Sequence, residues 1–128
     1  MDTPTPAAGK KILCVEDEFF ISELYTRALT KAGYDVTVIV DGDKGLEAAL
    51  TDEYDIIMLD IMVPNMLGVD ILQSLRTKKP DLHGRIIITT NLDEGEQRRA
   101  HTEGLADGYL IKAEVTPRQL VEYIANLR

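Results

Sequence analysis

Four short stretches end in side chains suited to holding a cation and a phosphoryl group. Glu16-Asp17-Glu18 follows the apolar run Ile12-Leu13-Cys14-Val15, and Asp60 follows Ile56-Ile57-Met58-Leu59. Thr89-Thr90-Asn91 follows Ile86-Ile87-Ile88, and Lys112 follows Tyr109-Leu110-Ile111. Carboxylates brought close together repel one another, which raises their pKa values unless a cation neutralises them. An oxygen-rich pocket with two or three carboxylates is what Mg2+ takes, waters completing its octahedron. A phosphoryl group on one of these carboxylates would then meet the metal on one side. Lys112 would ion-pair its oxygens, and the Thr90 hydroxyl would donate a hydrogen bond. Phosphoryl transfer asks mainly for positioning and charge neutralisation, and these residue types supply both. Asp60, placed where its strand would leave a sheet, is the best acceptor.

The elements needed to gather these residues are legible. Strand candidates are Lys11–Val15, Asp35–Val40, Asp55–Leu59, Arg85–Thr89 and Asp107–Ile111. Several are continuously apolar, which implies cover on both faces, as helices give a parallel sheet. Helical stretches lie between them: Glu18–Ala32, stopped by Gly33; Asp43–Thr51; Leu67–Lys78, stopped by Pro80; Glu94–Glu103, stopped by Gly104; and Thr116–Leu127. The last has Pro117 in its first turn and an apolar stripe of Leu120, Val121, Ile124 and Leu127. Glu94–Glu103 has almost no stripe, so it reads either as a marginal surface helix or as the part that moves. Strand and helix alternating five times predict an α/β fold of the flavodoxin-like, doubly wound kind. Its five-stranded parallel sheet would have the order 2-1-3-4-5, with five helices spread over both faces. Ligands of such sheets bind beyond the carboxyl ends of the strands, where the polar residues above converge. Singly, each has an ordinary alternative. Asp17 or Glu18 could cap the first helix, Thr90 the fourth, and Lys112 could be a surface charge. The joint arrangement is harder to explain that way.

Composition narrows the class. At 128 residues, 45% hydrophobic and 28% charged, the chain is one domain large enough to bury a core without disulfides. Residues 1–9 contain two prolines and little to bury, and read as a flexible tail before a domain over 10–128. The net charge of −8 opposes direct binding to nucleic acid or an anionic membrane surface. The one cysteine, Cys14, reads as core. No apolar run approaches the roughly 18 residues of a membrane span, and no signal-peptide core is visible. A cytoplasmic protein is therefore expected. There is no nucleotide-binding P-loop, since Gly42-Asp43-Lys44-Gly45 is too short, and His83 and His101 lack partners at zinc spacing.

The pieces VEDE, DIIMLDIMVPNMLGVD, IIITTN and ADGYLIKA resemble those of response-regulator receiver domains, from Lys11 to Arg128. The resemblance implies a two-component or phosphorelay switch rather than an enzyme. Mg2+ would be its cofactor, and a sensor histidine kinase or histidine phosphotransfer protein its donor. By this resemblance Asp60 is the phosphoacceptor and Asp17 a direct Mg2+ ligand. Glu16 acts at least partly through water, and the Met62 backbone carbonyl completes the protein ligands. Thr90 is the switch hydroxyl, Lys112 the phosphate-pairing lysine, and Tyr109 the aromatic that changes rotamer. Pro64 and Gly68 match the turn after the acceptor. The responsive surface would be the fourth helix, fifth strand and fifth helix, and a homodimer through the fourth-helix surface is conceivable.

Some positions depart from the family pattern. Glu16 replaces the more usual Asp, and Gly104 stands one residue early. Ala113 replaces a proline that usually forms a cis peptide. A cis bond without proline costs roughly 2.5–4 kcal/mol, so a trans bond and a differently shaped loop are expected. Met62 and Leu92 flank the acceptor and switch positions; both are apolar, which predicts slow self-dephosphorylation, or simple loop packing. Two rivals remain: a phosphorylation-independent scaffold, and a hydrolase, which would need a carboxylate where Met62 stands. Whether the domain acts alone or within a longer regulator is open.

Overall fold

The computed structural model describes residues 10–91 and 104–127. The expected tail, the fourth predicted helix, Leu92 and His101 lie outside the described residues. In chain order the elements are β1 (Lys11–Val15), α1 (Phe19–Lys31), β2 (Asp35–Ile39), α2 (Gly42–Ala49), β3 (Ile56–Asp60), α3 (Gly68–Lys78), β4 (Arg85–Thr90) and β5 (Gly108–Ile111). A 3-10 turn, Lys112–Glu114, and α4 (Pro117–Ala125), the fifth of the predicted helices, follow. Every expected strand is present, in the expected order β2-β1-β3-β4-β5. All pairings are parallel.

The continuous apolar runs have the cause read from the sequence. In β3, Ile57 and Leu59 join a core with Leu46 and Ala49 of α2 and Ile71, Leu72 and Leu75 of α3. Ile56 and Met58 point the other way, into a core with Tyr25 and Leu29 of α1 and Leu120 and Ile124 of α4. Period-two alternation thus feeds two cores through one central strand. Cys14 of β1 is buried too. Burial, helped by the Glu16 carboxylate, pushes its thiol up to about 12, so it is packing rather than a nucleophile.

Helix ends differ from the expected bounds by at most two residues, mostly because capping residues stand outside the helix proper. Asp41 caps α2 by accepting from the Lys44 amide at 3.1 Å. Thr116 and Gln119 form a reciprocal capping box at α4, with Pro117 in its first turn. The loop entering β5 is tied to α3. Arg76 donates to the Leu105 carbonyl at 2.8 Å and pairs with Asp107 at 3.1 Å. At the opposite side of β5, the Tyr109 amide donates to the Tyr123 hydroxyl at 3.3 Å. That hydroxyl lies where a side chain at Gly108 would begin, 2.2 Å from the position of a Cβ.

His83 is half-exposed, and its ring lies 2.7 Å from Asp52 and 3.3 Å from Asp55. The hydrogen bond to Asp52 raises its pKa from the ordinary 6.5, burial opposing and Asp55 adding to the rise. A histidine raised in the folded state stabilises fully below 6.5 and loses that contribution as pH rises through its folded value. Asp52 is lowered from 3.8, chiefly by the His83 amide, so its share is lost only as pH falls below that range. Stability is expected to decline slightly between pH 6 and 8, as the imidazole loses its proton and with it most of its attraction to Asp52. Urea melts at the two pH values should show the decline in the parent and not in His83→Gln.

Candidate functional site

Parallel pairing brings the carboxyl ends of four strands to one edge. Val15 lies beside Leu59, Asp60 beside Thr89, and Thr90 beside Ile111. The next residues out, Glu16 after β1 and Lys112 after β5, therefore flank Asp60. The end of β3 is pinned by the Ile61 amide, which donates to the Thr89 carbonyl at 3.1 Å. The Gly68 amide returns to the Ile61 carbonyl at 2.9 Å, closing the turn that contains Pro64. The Met62 amide donates to Asp60 Oδ1 at 3.3 Å.

Lys112 Nζ lies 2.8 Å from Glu16 Oε1, 3.1 Å from Asp60 Oδ2 and 3.1 Å from Glu18 Oε1. The side chains of Lys112, Glu16 and Asp60 are 3%, 1% and 4% exposed, whereas that of Glu18 is 52% exposed. The surface-charge alternative for Lys112 is thereby excluded. Burial alone would lower the Lys112 pKa, but the Glu16 and Asp60 carboxylates more than offset it, and the ammonium is held above its ordinary value. Burial pushes Glu16 up to about 7, the lysine opposing and Asp60 adding to the rise. One ammonium does not neutralise this many carboxylates.

Glu16, Asp17 and Asp60 each offer an oxygen within 4.8 Å of the others. Glu16 Oε1 is buried and accepts no hydrogen bond, its contact with Lys112 being ionic without hydrogen-bond geometry. A buried acceptor with an unused lone pair, beside two more carboxylates, fits a hard divalent cation. Among the expected ligands the structure thus unites Glu16, Asp17 and Asp60.

Thr90 is fully buried, yet its hydroxyl donates to the Asn91 carbonyl at 3.3 Å rather than to any carboxylate. Tyr109 is partly buried against the core that includes α2 and α3. The Lys112–Ala113 bond is trans, as no described peptide is cis, and the chain turns directly into the Lys112–Glu114 3-10 turn. Glu18 is the residue whose part was not foreseen. It is the N-cap of α1 but makes no side-chain capping bond, reaching Lys112 instead. Nothing local signals a contact between residues 94 positions apart.

The sequence from residue 12 to 125 matches the response regulator receiver domain family. The chain belongs to that family. Its relatives include the transcriptional regulatory protein HprR of Escherichia coli, 39% identical over 92% of the chain and 50% of the relative. Another is the alkaline phosphatase synthesis transcriptional regulatory protein PhoP of Bacillus subtilis, 37% identical over 88% of the chain and 45% of the relative. The chain spans about half the length of these curated relatives. Among solved structures, the response regulator TrrA of Thermotoga maritima, in complex with Mg(2+)-BeF, superposes with a TM-score of 0.78. It is 30% identical, over 93% of this chain and 99% of its own. The receiver fold and the flavodoxin-like strand order of this chain are thus those of its family. No described helix is long and apolar enough to cross a membrane.

Proposed function

We propose that this receiver takes a phosphoryl group on Asp60 from a phosphohistidine of a sensor kinase or phosphotransfer protein. The observation that carries the reading is Lys112 Nζ held 3.1 Å from a buried Asp60 oxygen, beside the Glu16 and Asp17 carboxylates. Asp60, Asp17, Glu16 and the Met62 carbonyl would hold Mg2+, which when bound neutralises charge on the transferring phosphoryl oxygens. Asp60 forms an oxygen–phosphorus bond as the phosphorus–nitrogen bond of the donor breaks, the imidazole nitrogen keeping the electron pair. Lys112 donates to the phosphoryl oxygens. Thr90 exchanges its Asn91 acceptor for the new dianion, and Tyr109 turns into the space left. The surface of the fourth predicted helix, β5 and α4 then favours a different partner. Phosphorylation can shift that balance only by its differential interaction with the two states. The domain acts as a switch within residues 10–128, in the cytoplasm. Its charge of −8 leaves any nucleic-acid contact to another domain or partner.

Incubation with acetyl phosphate and Mg2+ should add one phosphoryl mass to the intact protein. No gain, from acetyl phosphate or from a phosphohistidine donor, in a protein shown to be folded would favour a phosphorylation-independent scaffold. Met62 is exposed beside the acceptor and offers no group to orient an attacking water. The phosphoryl lifetime is therefore expected to exceed several minutes. A decay within seconds, followed by mass after removal of the donor, would contradict this.

A further inference from the structure

We infer that Glu18 is a resting-state latch that competes with the phosphoryl group for Lys112; the inference rests on the phosphoacceptor reading above. A lysine ammonium has three protons to donate. In this structure three carboxylates surround it, Glu16, Asp60 and Glu18, at 2.8, 3.1 and 3.1 Å. The hydrogen bond of the ammonium goes to Glu18, and a phosphoryl group arriving on Asp60 competes with these contacts for it, so one of them weakens.

Exposure decides which. Glu16 is 1% exposed, so water does not take the place of the lysine there. Asp60 carries the phosphoryl group itself. Glu18 is 52% exposed, so water replaces the lysine at little cost. Its position gives it a second place to go. It is the N-cap of α1, whose first turn has no acidic residue and no side-chain cap. A carboxylate released there is favoured by the helix N-terminus. Glu18 therefore has two stations, the ammonium at rest and the start of α1 once the phosphoryl group has displaced it.

As a positioning residue acting through Lys112, Glu18 makes the phosphoryl state harder to reach. The test is calorimetric titration of the full chain with beryllofluoride in saturating Mg2+, for parent, Glu18→Asp and Glu18→Gln. Aspartate keeps the charge, but it is one methylene short of the lysine and is a good N-cap in its own right. Both variants are expected to bind beryllofluoride about fivefold more tightly, the size of one exposed charge-assisted contact. Mg2+ affinity measured without fluoride should be unchanged in Glu18→Asp. Tightening in the Gln variant alone would reduce the effect to bulk charge repulsion and overturn the latch. Unchanged or weaker binding in both, or a parallel change in Mg2+ affinity of Glu18→Asp, would overturn it too. Failure of the parent to bind beryllofluoride would instead strike at the phosphoacceptor reading itself.

Discussion

Asp60→Asn is expected to lose all phosphorylation detectable by intact mass while remaining as stable as the parent or more so. The amide is no nucleophile toward phosphorus, and the acceptor oxygen 3.1 Å from Lys112 is the one the reaction needs. Stability should survive for an electrostatic reason. Asp60 is buried and helps to raise Glu16 to about 7, so it repels a neighbour as well as pairing with the lysine. Removing its charge leaves Lys112 with Glu16 and Glu18, a closer balance of charge in a site poorly reached by water. A thermal melt beside the mass measurement separates the two effects. Retained phosphorylation at the parent's rate would move the acceptor to another carboxylate.

Gly68→Ala is expected to destabilise by about 1–3 kcal/mol and to slow phosphorylation as well. A Cβ at this position would lie 2.4 Å from the Asp60 carbonyl oxygen and 2.9 Å from the Ile61 Cα. These are backbone atoms at the end of a central strand, tied to β4 through the Ile61 amide and the Thr89 carbonyl. They cannot rotate away as a side chain tip would. Either the start of α3 or the end of β3 must shift, and the second displaces the acceptor. Misplacing a reacting group by about 1 Å can cost on the order of a hundredfold in rate. Urea midpoints and phosphorylation rates on the same samples check both halves. A variant matching the parent in each would mean that the turn yields without moving Asp60.

The strands were readable because both faces of the sheet are covered. That makes Ile56–Leu59 and Ile86–Ile88 apolar without interruption, and covered parallel sheets require crossover helices between them. Strand ends in turn located Asp60 and Lys112, since the polar residue after each run could only fall at the carboxyl edge. What the sequence did not reveal depends on choices between near-equal alternatives. Glu18 at the start of α1 could cap the helix or reach an ammonium, and only the fold brings Lys112 within range. The sequence showed no partner for His83, because Asp52 and Asp55 approach it from a loop 31 and 28 residues away. The resting hydroxyl of Thr90 faces the Asn91 carbonyl, a local bond that residue type alone does not select. Ala113 was more tractable, since the cost of a cis bond without proline is large enough to decide the matter.

The phenol of Tyr123 also bears on how this molecule keeps to itself. β5 is the last strand of the sheet, and the amide of Tyr109 is not spent on β4 but on that hydroxyl. An open sheet margin is a template on which another chain can add a strand, and sheets are commonly guarded there by charge, proline or a bulge. Here the guard is lent by the neighbouring helix, fitted into the space that Gly108 leaves. A strand from a second molecule would have to evict an aromatic ring before it could pair at Tyr109. Association on this side is thus steered away from backbone ladders, which grow without limit, and toward side-chain surfaces that can be made and broken.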